Sequence, residues 1–300
     1  MQTTLISGPA AFTQLAAEWD ALAATGMTDT PFQSLAYQRA WWIHLQPETG
    51  DLHTVAVRSD DGDLRAIASF YLLDGLLYFN GCVEETDYLD LIVRAEEAEA
   101  AWQAVWRCLN SDGFPHWQGM SLCNVPAGSP SRTILARLAN EAGYDFAEEI
   151  HEVCPVITLP DSFDAYLDSL DSKQRREINR KLRRADAAGA TLRVIGSEDD
   201  LDTAVADFLD LLQKSTFEKR EWLNEGRRAV FHDTARAALD AGTLQLMFIE
   251  LRDQKAAALF NFDYRDRVWV YNSGLDPRAF GKLSLGVVLT AKAIELAIEN

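Results

Sequence analysis

Leu244-Gln-Leu-Met-Phe-Ile-Glu-Leu-Arg-Asp-Gln-Lys-Ala-Ala-Ala-Leu-Phe-Asn-Phe262 runs on to Tyr271-Asn-Ser-Gly274, and its plan is strand, polar turn, strand, hairpin and a strand ending at glycine. The same plan occurs earlier. Leu52-His-Thr-Val-Ala-Val-Arg-Ser-Asp-Asp-Gly-Asp-Leu-Arg-Ala-Ile-Ala-Ser-Phe70 runs to Tyr78-Phe-Asn-Gly81, with Asp61-Gly62 and Asp74-Gly75 as hairpin turns. Either block alone is an ordinary hairpin. Their shared order, near-equal length and terminal glycine predict an internal duplication. Helices between and after the blocks make the class α/β or α+β, with mixed, largely antiparallel sheets flanked by helices rather than a doubly wound parallel sheet.

The remaining elements follow from periodicity and end signals. Ser7-Gly-Pro9 is read as opening a helix that carries Phe12, Leu15, Trp19 and Leu22, and a second helix runs from Ser34 through Trp42. Strands are expected at Tyr88–Val93, Met120–Cys123 and Tyr144–Ala147, and helices at Ala95–Leu109 and Ser131–Ala142. The second half begins near Cys154. It is read as helices at Asp161–Leu170 and Ser172–Ala188, a strand at Thr191–Ile195 and a helix through Leu201 and Leu212. The strand block and a last helix from Leu285 to Ile298 complete it.

Three hundred residues make about two domains. The chain carries 28 Lys+Arg against 46 Asp+Glu, a net charge of −18 that repels a phosphate backbone and excludes general nucleic-acid binding outside a segregated basic patch. No CxxC, HxH or HExxH occurs, so no metal site is expected. Cys82, Cys108, Cys123 and Cys154 read as buried thiols of a reducing compartment. The N-terminus has no signal-peptide pattern, and no apolar run reaches membrane-spanning length, so a cytoplasmic location is expected.

Two segments carry candidate chemistry. In the first, Val268-Trp-Val-Tyr-Asn-Ser-Gly-Leu-Asp-Pro-Arg-Ala-Phe-Gly-Lys-Leu-Ser-Leu-Gly286, a strand passes into a helix through a loop bearing Ser273, Gly281, Lys282 and Ser284. Free N–H groups at such a helix start, near Leu285 and Gly286, form an anion site, and Gly286 has no Cβ to block a phosphate. The alternative is a Ser N-cap followed by an incidental glycine. The loop has neither GxGxxG nor GKS/T, which excludes dinucleotide and P-loop sites. In the second, Lys173-Gln-Arg-Arg-Glu-Ile-Asn-Arg-Lys-Leu-Arg-Arg184, seven of twelve residues are basic. Ile178, Leu182 and Ala185 make a narrow apolar stripe, and Arg176, Arg180 and Arg183 lie opposite it as a candidate phosphate- or carboxylate-binding face. A solvated face pairing with Glu148, Glu149 and Asp168 is the alternative. Asp87, Asp90, Asp263 and Tyr271 sit in or beside strands as candidate acids or bases, or as structural groups. Trp41 and Trp42 read as core.

Four phrases together resemble one bacterial family: Thr30-Pro-Phe-Gln-Ser-Leu-Ala-Tyr-Gln-Arg-Ala-Trp-Trp42, Gly81-Cys-Val-Glu-Glu-Thr-Asp-Tyr-Leu-Asp90, Leu170-Asp-Ser-Lys-Gln-Arg-Arg-Glu-Ile-Asn-Arg-Lys-Leu182, and Tyr271-Asn-Ser-Gly-Leu-Asp-Pro277 with Lys282-Leu-Ser-Leu-Gly286. The chain resembles the GNAT-superfamily acetyltransferases associated with cellulose biosynthesis, more distantly related to the Fem-type aminoacyl transferases. The resemblance implies two tandem GNAT-like domains. Residues 1–152 would be structural or acceptor-binding, and 153–300 would be the acyltransferase domain, lacking its last strands beyond Asn300. It implies an acetyl-CoA or other acyl-CoA co-substrate and transfer to an amine or hydroxyl of a small-molecule or saccharide acceptor, in polysaccharide or cell-envelope biosynthesis. In that reading Ser273, Gly281, Lys282, Ser284, Leu285 and Gly286 bind the co-substrate. Asp263 takes the acceptor's proton, Tyr271 protonates the departing thiolate, and a backbone N–H near Tyr271–Ser273 polarises the thioester. The family's pyrophosphate loop ends in a small residue, and here Arg278-Ala-Phe-Gly-Lys-Leu283 ends in leucine. A Fem-like transferase using aminoacyl-tRNA held on the basic helix, and a non-catalytic binding module, are the alternatives.

Overall fold

The long strands of each block are apolar on both faces and need cover on both. The computed structural model describes residues 1–82 and 85–300 and divides into two units, Met1–Cys154 and Pro155–Asn300. Val83 and Glu84 of the turn phrase lie outside the described residues. The architecture is the mixed α/β one expected, with two largely antiparallel sheets flanked by helices.

The first unit runs β1 (Gln2–Ser7), α1 (Ala11–Gln14), α2 (Ala16–Ala23), α3 (Leu35–Leu45), β2 (Asp51–Arg58), β3 (Leu64–Leu73), β4 (Leu76–Phe79), β5 (Ile92–Val93), α4 (Ala98–Leu109), β6 (Gly119–Met120) and α5 (Ser131–Glu141). The sheet order is β1-β2-β3-β4-β6, with β5 also on β3, and only the β4–β6 pair is parallel. Trp19, Trp41, Trp42, Phe70 and Trp102 are buried in its core.

Several expectations are corrected here. Gln2–Ser7 is a strand that precedes the first helices; it is mostly exposed, and its place comes from pairing with β2, Gln2 opposite Arg58. Of Tyr88–Val93 only Ile92–Val93 is strand. The Asp90 carboxylate turns inward and accepts from Leu91 N–H (2.8 Å), Thr28 (3.0 Å) and Ser131 (2.6 Å), so side-chain bonds, two of them to distant segments, take the place of a ladder. Burial pushes this carboxyl up, against the pull of those bonds, and makes Asp90 a structural group. Met120–Cys123 shortens to Gly119–Met120. Tyr144–Ala147 is no strand; Tyr144 N–H closes α5 on Ala139, and its ring stacks on Trp117 at 5.3 Å. Cys82 and Cys123 form a disulfide, their Cα atoms 6.0 Å apart, and Cys154 is exposed, so the four are not all buried thiols.

The second unit runs α6 (Phe163–Ser169), α7 (Ser172–Ala187), β7 (Thr191–Val194), α8 (Leu201–Ser215), α9 (Phe217–Trp222), α10 (Glu225–Asp240), β8 (Leu244–Leu251), β9 (Gln254–Tyr264), β10 (Arg267–Leu275) and α11 (Leu285–Glu299). Its strands lie in the order β10-β9-β8-β7, all antiparallel. The stretch before β8, unassigned from sequence, holds α9 and α10, capped by the Thr216 and Asn224 side chains. Met247, Ile249 and Leu251 pack with Leu285, Val288 and Leu289 of α11. On the other face Phe260 meets Phe208 of α8 and Phe231 of α10 at 5.4 Å each. That double cover explains the near-continuous apolar runs of β8 and β9.

His53 on β2 is buried beside Phe114, and neither ring nitrogen has a hydrogen-bond partner among the described residues. Burial lowers its pKa, opposed by the charge of Asp51. The unfolded imidazole therefore binds its proton more readily, so stability is full above the unfolded value of about 6.5 and is lost as pH falls below it. His53→Phe is expected to flatten that loss between pH 7 and 5.5 in urea titrations. An unchanged slope would assign acid sensitivity elsewhere.

Candidate active site

The end of β10 is built by three close contacts. β10 is an edge strand whose register on β9 slips between Val270 and Asn272, leaving Tyr271 as a bulge. The Tyr271 ring packs among Phe231, Phe260 and Phe262 at 5.5–6.0 Å. Asn272 Oδ1 accepts from Ser273 N–H (2.9 Å), so this amide, one of those nominated to polarise a thioester, is already bonded. Gly274 lies against α8, where a Cβ would stand 2.7 Å from Leu212 N. Leu275 N–H then donates to Ser215 Oγ (2.7 Å).

Beyond β10 the chain turns into α11. Asp276 Oδ1 accepts from Arg278 N–H at 2.9 Å and Ala279 N–H at 3.3 Å, an Asx turn. Phe280 and Ser284 both take left-handed backbone, φ 53° and 54°, around a 3-10 turn over Gly281–Leu283. Ser284 makes no side-chain cap, which corrects the N-cap alternative; capping needs an extended backbone at that residue. Its carbonyl accepts from Val287 and Val288, and the N–H groups of Leu285 and Gly286 have no partner among the described residues. Leu285 buries its side chain and offers only main chain. A Cβ on Gly286 would meet only Leu275 Cδ2 at 3.8 Å, so packing does not require glycine there. Gly281 and Lys282 are exposed.

Gly286 and Ser284 line a mostly apolar cleft of about 490 Å³ walled by Tyr166, Ile178, Leu275 and Ile294. Ile178 is on the apolar stripe of α7, whose Ala185 and Leu182 pack into the α11 core as the spacing predicts. Arg176, Arg180 and Arg183 are exposed, and none lines the cleft. Arg180 pairs with Glu177 in its own helix (2.7 Å) and Arg175 with Asp168, whereas Glu148 pairs with Arg132. Asp263 is exposed opposite Val268, at the far end of β10 from Ser273, roughly 15 Å of strand away. The structure thus brings Ser273, Ser284 and Gly286 to one end of the sheet, with Tyr271 at the bulge, and leaves Asp263 and the arginines apart from them.

Sequence reasoning missed Lys219. It lies on α9, and its ammonium donates to Ser273 O (2.6 Å) and Asn272 Oδ1 (3.0 Å) and approaches Ser273 Oγ at 3.4 Å. Burial lowers its pKa. No spacing signal marks it, since its importance comes from a strand 53 residues away in the chain.

Residues 172–300 match the family model of the acetyltransferase (GNAT) domain. The crystal structure of FemX has a similar fold, with TM-score 0.64 and 11% identity over 100% of this chain and 86% of that one. A conserved protein of unknown function from Bacteroides thetaiotaomicron VPI-5482 is similar at TM-score 0.51 and 12% identity, over 94% of this chain and 85% of that one. At such identities the likeness is one of fold. No curated protein matches the chain.

The two glycines at this end are expected to behave oppositely. Gly274→Ala drives a methyl into α8 backbone and is expected to cost about 1–3 kcal/mol. Gly286→Ala, with ordinary contact distance available, is expected to stay within about 1 kcal/mol of the parent or to gain slightly from helix propensity. Denaturant titration of both variants checks the contrast.

Proposed function

We propose that the second unit is a GNAT-type acyltransferase that takes an acyl-CoA, acetyl-CoA in the simplest case, and acylates an amine or hydroxyl of a small-molecule or saccharide acceptor. The observation that carries this reading is the start of α11, where the Leu285 and Gly286 amides have no partner among the described residues, in the segment that matches the GNAT domain model. A diphosphate suits that place. Its oxygens accept from the Leu285 and Gly286 N–H groups, the helix dipole favours negative charge, and exposed Lys282 adds a cation.

Acyl-CoA supplies an activated thioester, whose carbonyl the acceptor attacks as the C–S bond breaks. The edge of β10 borders the same helix start, so its bulge region is where a main-chain N–H would meet the thioester oxygen. Tyr271 lies at that bulge with its ring on the α8 and α10 face of the sheet, and in this reading its hydroxyl returns a proton to the thiolate. Asp263 would serve the acceptor side only through a chain of waters, given its distance. In the first unit α4 starts among Glu96, Glu97 and Glu99, an acidic entry that repels a diphosphate. That unit is read as structural or acceptor-binding.

The exposed arginine face of α7 belongs to the same proposal as a steering surface for an anionic acceptor or co-substrate, in a chain otherwise strongly negative.

Calorimetric titration with CoA tests the assignment. Gly286→Val is expected to melt near the parent temperature while CoA affinity falls about tenfold, or about 1.4 kcal/mol. Unchanged affinity removes the α11 start from the site. Parallel titration with tRNA separates the Fem-like alternative, for which tRNA and not CoA would bind. Replacing Arg176, Arg180 and Arg183 together by Gln is expected to leave the fold intact and weaken CoA or acceptor binding at low salt, where screening is least. Equal binding there returns α7 to a solvated face.

A further inference from the structure

Between Ser273 and Leu275 the outward edge of β10 is closed by side chains from one short stretch of chain and from the strand itself. Ser273 N–H is held by Asn272 Oδ1, Ser273 C=O accepts from Lys219, and Leu275 N–H is held by Ser215 Oγ. Ser215 ends α8 and Lys219 lies on α9, with Thr216 Oγ1 capping that helix through Lys219 N–H at 3.2 Å. The Ser215–Lys219 turn therefore seals the strand edge directly after the bulge.

A bulge leaves one residue unpaired and interrupts the ladder, so the strand edge beside it is held by contacts from outside the sheet. Gly274 against α8 fixes the strand's approach to the helix, and the ammonium fixes the carbonyl next to it. The choice of partners is unusual for a lysine in this acid-rich chain. Among the described residues Lys219 has no carboxylate partner, and its three contacts are neutral oxygens. Desolvation disfavours the charged form at this place. A half-buried cation held on backbone without a counter-ion contributes little as a surface ion pair and much as a constraint on that backbone.

We infer that Lys219 is a positioning residue for acyl transfer, fixing through Ser273 and Asn272 the bulged edge of β10 against which the thioester lies. The inference rests on the acyltransferase reading above. Lys219 acts on the strand, and the strand sets the wall beside the α11 start against which the thioester is placed.

The test uses the full chain as wild type, Lys219→Met and Lys219→Arg, with acetyl-CoA as substrate and water as the acceptor. Water attacks the carbonyl, a C–O bond forms, the C–S bond breaks, and the CoA thiolate takes up a proton; the released thiol is measured. Lys219→Met is expected to lower kcat about tenfold or more while KM for acetyl-CoA and the Kd for CoA stay within about twofold. Lys219→Arg is expected to recover at least part of the loss. In the free protein, amide exchange at Ser273 and Leu275 should accelerate in Lys219→Met relative to the amides of β8. Asn272→Ala, which keeps the lysine and removes one acceptor, serves as the second variant should Lys219→Met fail to fold, and is expected to show the same kcat loss. Unchanged exchange at Ser273, or an unchanged kcat in a wild type that turns acetyl-CoA over, overturns the positioning role alone. A wild type that neither binds CoA nor releases thiol overturns the acyltransferase reading, and this role with it.

Discussion

The approach of Gly274 to α8 is the constraint on which the second unit's working end depends. With no side chain at 274, the strand backbone lies against the backbone of Leu211 and Leu212, nearer than any Cβ allows. Leu275 is thereby delivered to Ser215, and the strand can only leave the sheet at Asp276. From that exit the Asx turn, the two left-handed residues and the 3-10 turn follow in eleven residues or fewer, and α11 starts with its first amides unspent. Upstream, the same contact sets the distance over which β10 must accommodate one extra residue, which it does at Tyr271. The bulge and the helix start flank this close contact on its two sides along the chain.

Charge is distributed to match. The chain is strongly acidic, yet seven of its 28 basic residues sit on α7, where Ile178, Leu182 and Ala185 face the α11 side and the arginines face solvent. The basic face and the apolar cleft lie on opposite sides of one helix. The arginines are open to solvent, while the cleft beside Gly286 is walled by apolar side chains. Lys219 is the contrasting case: a cation drawn in from solvent and spent on strand-edge oxygens.

In the first unit the corresponding position is organised by a buried carboxylate. Asp90 collects Thr28, Ser131 and the Leu91 amide, and Ser131 in turn accepts from Trp102. This network holds the turn between β4 and β5 to two helices, and it spends its polar groups on one another. The two units share a plan of strands, and they differ in what their connections do with polar groups.

How much of this was legible in the chain differs by element. The paired strand blocks, the helices at Leu35, Ala98, Ser131, Ser172, Leu201 and Leu285, and the amphipathic orientation of α7 follow from periodicity and caps, because neighbouring residues decide them. The loop to α11 was visible as glycines and a serine at a strand-to-helix junction. Its left-handed Ser284 was not, because that conformation is imposed by where β10 ends. β1 was missed because its strand character comes from pairing with β2, about fifty residues on, and Tyr88–Val93 was overread because the Asp90 carboxylate finds partners in two distant segments, at Thr28 and Ser131. The Cys82–Cys123 bridge and the Lys219–Ser273 contact have the same origin. Local composition decides which segments can be strand or helix, since those preferences are short-range. Which amides stay free, which lysine loses its water and which glycine has room for a methyl group are decided only when distant segments close on one another.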